Sequence, residues 1–126
     1  MERGLEVDIH LTPGLQNENF VAQALGNLAA HRLQSERGEP LQWQVLRVEE
    51  GHHHHFRLVV RHPTRALDIG LHHQLKRTLE ELSRESETEL EARYHRAVKE
   101  GLKPQPLRHL REAPDLWQDD FWKWFG

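Results

Sequence analysis

The sequence predicts an α+β domain. Its sheet has three strands, antiparallel or mixed, in a partial ferredoxin-like β-α-β-β-α arrangement with a long helix and an aromatic C-terminal tail helix. Three observations carry this expectation: a strictly alternating strand near the start, two facing apolar runs in mid-chain, and two long stretches with helical apolar spacing.

Leu5, Val7, Ile9 and Leu11 alternate with Glu6, Asp8, His10 and Thr12, the period-two pattern of a half-buried strand. Pro13-Gly14 ends it. Asn17 then suits the N-cap of a helix with Phe20, Val21, Ala24, Leu25, Leu28 and Leu33 along one side. Gly38 followed by Pro40 stops that helix.

The runs 41–48 and 52–61 predict an antiparallel hairpin. A tight turn at Glu50-Gly51 pairs Val45 with Phe56, Trp43 with Leu58 and Leu41 with Val60, all apolar and all on one face. The opposite face then carries Gln44 with Arg57, Leu46 with His55 and Val48 with His53. Leu46, Val48 and Val59 are more apolar than a solvated face needs, so that face calls for a cover.

After Pro63, Thr64 or Asp68 starts a second helix with Leu67, Leu71, Leu75, Leu79 and Leu82 on one side. Helical spacing resumes at Leu90, Tyr94, Ala97 and Val98. An unbroken helix over 65–99 would run roughly 50 Å, too long for one small domain, so a bend is expected at 83–88. Gly101 to Pro106 reads as an extended linker, giving a 1–100 domain and a 101–126 linker and tail.

A strand–helix–strand unit followed by a hairpin puts 56–61 in the centre, between 5–12 and 41–48. The open face then sets Glu6, Asp8 and His10 beside His53, His55, Arg57 and Arg61. With no fourth strand in sight, the first strand is an unpaired edge, which predicts self-association or a bound segment.

Composition narrows the chemistry. The chain has 126 residues, no cysteine and a formal charge of −3. One modest core, no disulfide and no thiolate site follow. Met1-Glu2-Arg3-Gly4 opens no apolar leader and no run reaches membrane-spanning length, so a cytoplasmic protein without a membrane span is expected. No GxSxG or Gly-rich phosphate loop occurs.

Three constellations remain. The first is a histidine cluster. His52 to His55 run into the central strand, and Asp8, His10, His53 and His55 share the open face as candidate metal ligands. His72 and His73 belong to the second helix, which is expected on the other face. No HExxH or matching ligand spacing exists, so the plain reading is a solvated hairpin tip, with no metal and no cofactor.

The second is nucleic-acid binding through Arg47, Arg57, Arg61, Arg65, Lys76 and Arg77. The central strand offers no exposed aromatic for base stacking, and the balanced charge favours a salt-bridged surface. The third is the tail, where Trp117, Phe121 and Trp124 share a helical face that Trp122 and Phe125 broaden. Aromatics of this density make contact hot spots. The sequence is therefore read as a non-enzymatic protein–protein interaction or assembly factor, homo-oligomeric. Its contact residues are Trp117, Phe121, Trp122, Trp124, Phe125, Leu46, Val48 and Val59. A His-dependent metal protein or small metalloenzyme is the alternative, and an RNA-binding module the weaker one.

Overall fold

Alternation, capping residues and turn glycines place seven elements along residues 4–109, the part of the chain that the structure, a computed structural model, describes. They are β1 (Leu5–Ile9), α1 (Glu18–Arg37), β2 (Gln42–Glu50), β3 (His53–Arg61), α2 (Ile69–Leu82), α3 (Glu87–Lys99) and β4 (Leu107–His109). The strands form one mixed sheet in the order β1-β3-β2-β4. As expected, β3 is central, antiparallel to β1 on one side and to β2 on the other.

Two corrections follow. The sheet has four strands rather than three, because the extended stretch after Gly101 ends in a short strand parallel to β2, pairing Val45 with Leu107 and Arg47 with His109. This strand lies beside β2, and the outer side of β1 has no strand among the described residues. The hairpin register also differs by two residues: Trp43 faces Val60, Val45 faces Leu58 and Arg47 faces Phe56. On the other face Gln44 meets Val59, Leu46 meets Arg57 and Val48 meets His55. The loop is Gly51-His52 rather than Glu50-Gly51, and Gly51 has φ 62°. A positive φ at the first of two loop positions is what a type II′ hairpin turn needs, and glycine meets it without strain.

Each helix has a local reason to start and stop. The Asn17 side chain accepts the Phe20 N–H at 3.1 Å, and Gly38, at φ 65°, closes α1 by donating to the Gln34 carbonyl. Asp68 caps α2, accepting the Leu71 N–H at 2.8 Å. The expected bend at 83–88 is a true break: Ser86 and Glu89 form a reciprocal capping box that starts α3 afresh. Inter-helix ties fix the termini. Arg37 at the end of α1 donates to Asp68 and Gln74, while the Glu87 carboxylate of α3 accepts the N–H groups of Gln16 and Asn17.

The core joins one face of the sheet (Val7, Ile9, Trp43, Val45, Phe56, Leu58, Val60) to α1, with α2 and α3 packed outside. Buried between sheet and helices, α1 hides Val21, Ala24, Leu25, Leu28, Ala29 and Leu33. Each buried Leu contributes about 1.5–3 kcal/mol of transfer free energy. Gly26 lets α1 approach β2 closely; a Cβ there would lie 2.6 Å from Val45 Cγ2. Asn27, wholly buried, makes four hydrogen bonds. Its amide nitrogen donates to the carbonyls of Gln23 (2.8 Å) and Gln105 (3.0 Å), and its oxygen accepts from Trp43 Nε1 (2.9 Å) and the Gln105 N–H (2.7 Å). One side chain thus links α1, β2 and the approach to β4.

Candidate interaction surfaces

The pleat that points Trp43, Val45, Leu58 and Val60 at α1 points Gln44, Leu46, Val48, Arg57 and Val59 the other way. None of the described helices packs on this second face. Even so, Leu46 and Val59 are 0 % exposed and Val48 is 3 % exposed. The apolar patch anticipated from sequence is therefore closed to solvent. Gln44 is also 0 % exposed, and neither its amide oxygen nor its nitrogen has a hydrogen-bond partner among the described residues. An orphaned buried amide costs about 1–3 kcal/mol. The rim is polar: Arg57 reaches Glu6 and Asp8 at 3.4 Å each, which bears out the expected pairing of acidic β1 with basic β3.

A second feature lies along the outer edge of β1. There α2 packs beside the strand and leaves a cavity of about 210 Å³ between them. Val7, Ile9 and Leu79 supply its apolar part, and Glu6, Asp8, Glu80 and Lys76 its charges. His10 and His72 line it together, although their elements were expected on opposite faces of the sheet; a cavity at a sheet edge is reached from both. A wider basin of about 710 Å³ lies between the end of α1, β2 and the stretch before β4. His31, Lys103 and Arg108 line it, with no carboxylate or hydroxyl side chain among its described residues.

The candidate ligands Asp8, His10, His53 and His55 do not gather at one point. His54, on the helix side of β3, meets Glu18 of α1 at 2.6 Å. His55 lies 3.3 Å from Arg57, while His53 pairs across the hairpin with Glu50. His10 and His55 line one shallow hollow with Glu18 and His54, but Asp8 and His53 are not part of it. Among the described residues no group of three His, Asp or Glu side chains is placed to hold a metal ion. Three of the candidate arginines are engaged, Arg47 with Glu49 and Asn19, Arg61 with Gln42, and Arg65 with Glu39, while Arg77 lies exposed on α2. Phe56 is buried on the core side, so β3 presents no stacking platform.

The perturbed ionisations are structural. The Arg37 guanidinium, helped by the Leu71 N–H, holds the Asp68 carboxyl below its ordinary range. The backbone and hydroxyl of Ser86 do the same for Glu89, and Glu85 raises Arg93. Asp68 and Glu89 belong to helix N-termini and Arg93 to an ion pair of α3 with Glu85, and none of the three lines the cavities described above.

A family model matches residues 1–125 and carries the description "protein of unknown function (DUF2004)". The chain belongs to the DUF2004 family. No curated protein matches this DUF2004 chain. No helix among its described residues is long and apolar enough to cross a membrane. The aromatic residues Trp117, Phe121, Trp122, Trp124 and Phe125 lie outside the described residues. Sequence reasoning missed Asn27 and the β1–α2 cavity. A lone Asn amid Ala24, Leu25 and Leu28 was the available signal for Asn27, whereas the cavity depends on helix placement and left none.

Proposed function

We propose that this DUF2004 chain is a non-enzymatic protein–protein interaction and assembly domain. Its contact surface joins Leu46, Val48 and Val59 to the aromatic residues Trp117, Phe121, Trp122, Trp124 and Phe125. The observation that carries this reading is the apolar second face of the sheet, closed to solvent although no described helix lies on that side. The buried Gln44 amide beside Val59, without a partner among the described residues, supports it, since buried polar groups are ordinarily satisfied and exceptions mark special sites. A dense aromatic segment is the natural complement of such a face. Exchange of that segment between two copies gives a homo-oligomer.

The test is deletion of 114–126. The expected product keeps a cooperative thermal transition, exposes an apolar face that binds a hydrophobic dye, and no longer self-associates. Cooperative unfolding of the truncated chain would make the segment core and remove the support for an interaction role.

A further inference from the structure

The outer edge of β1 carries a separate inference. β1 is paired with β3 on one side, and no described strand lies on the other. An edge strand presents a row of backbone N–H and C=O groups, which are a template for another chain. Here the row runs beside a cavity rather than open solvent, because α2 stands off the edge with Leu79 and Glu80 facing it. A strand added at this edge would place alternate side chains in two environments. One set would meet the apolar wall of Leu79, and the other would lie on the second face beside Glu6 and Asp8.

We propose that this edge binds an extended segment of another protein in which apolar residues alternate with lysine or arginine. Charge complementarity selects that occupant. Glu6, Asp8 and Glu80 set three carboxylates around the groove against the single Lys76, with His10 and His72. Arg57 engages Glu6 and Asp8 from the β3 side only at 3.4 Å, and their side chains stay 41 % and 54 % exposed. The same charges disfavour a second copy. An antiparallel pair of β1 strands centred on Val7 would set Glu6 against Asp8 twice, and one centred on Asp8 would oppose Asp8 to itself. Like charges directly opposite destabilise a ladder.

This edge adjoins the face of the preceding proposal at Glu6 and Asp8, but the readouts separate the two: deletion of 114–126 reports on that face, and peptide-induced changes along α2 report on this edge. The probe is a capped peptide of alternating lysine and valine, about seven residues long and so able to span β1. It is titrated into the intact isotope-labelled chain. Expected are amide shifts concentrated at 4–10 and 72–83, binding about tenfold weaker for a glutamate–valine peptide, and loss of binding when alternate peptide nitrogens are methylated. The exposed substitution Glu80→Lys weakens binding and leaves the melting temperature unchanged. Absence of shifts at millimolar peptide, shifts elsewhere, or equal binding of the acidic peptide overturns the proposal. Contacts between β1 strands of two copies in the free protein overturn it equally.

Discussion

Replacing Asn27 by alanine should destabilise the domain far more than its single side chain suggests. The amide uses all four of its hydrogen-bonding positions inside the protein. Truncation leaves the Trp43 indole N–H and both backbone groups of Gln105 without partners; the Gln23 carbonyl keeps its place in the helical ladder. Trp43 is 6 % exposed, so its orphaned donor costs about 1–3 kcal/mol. Gln105 is half-buried and partly recovers water, adding about 1 kcal/mol. The sum, about 2–4 kcal/mol, is a large part of the roughly 5–15 kcal/mol typical of a whole domain. Urea unfolding followed by far-ultraviolet circular dichroism should show a lower midpoint with an unchanged slope. A double-mutant cycle with Trp43→Phe should show coupling, because that change removes the donor Asn27 serves. A loss under about 1 kcal/mol, or additive single effects, would refute the claim that this amide ties α1, β2 and the approach to β4 together.

Gly26→Ala should lower the melting temperature even though alanine gains about 1 kcal/mol of helix propensity, because its Cβ would lie 2.6 Å from the wholly buried Val45. Val45→Ala in the same chain should restore part of the loss, and a higher melting temperature for Gly26→Ala alone would contradict the packing. The folded-state Asp68 carboxyl is held below its ordinary range, so its contribution is complete above the usual aspartate pKa near ~4 and is lost as pH falls through the depressed value. Asp68→Asn should flatten the acid side of the urea midpoint plotted against pH; an unchanged acid limb would count against the Arg37 contact. The run His52–His55 should retain no stoichiometric metal after dialysis against chelator. One equivalent of zinc or nickel lost on combining His53→Ala with His55→Ala would restore the metalloprotein reading.

Parity was legible in the sequence where register was not. Shifting a hairpin by two residues keeps every side chain on its face, so Trp43 opposite Leu58 and Trp43 opposite Val60 satisfy the same apolar pattern. The turn decides between them, because Gly51 takes its positive φ at the first loop position. Helix limits were legible because Asn17, Gly38, Asp68 and the polar stretch at Ser83–Ser86 act locally. The three residues of β4 were not, since they are too few to show alternation and they pair in parallel with a strand distant in sequence. The apolar second face and its need of a cover were legible from Leu46, Val48 and Val59, but what lies across from a strand is not written in the strand itself. The candidate site followed the same division: His10, just after β1, and His72 on the helix were visible separately, and only the placement of α2 beside β1 joined them.

Light scattering on the intact chain, measured from low to high micromolar concentration, tests the assembly role most directly. The account predicts a mass above the 14.9 kDa of one chain, reduced to that of a single chain when 114–126 is removed. A single-chain mass across the whole range for the intact protein would contradict it.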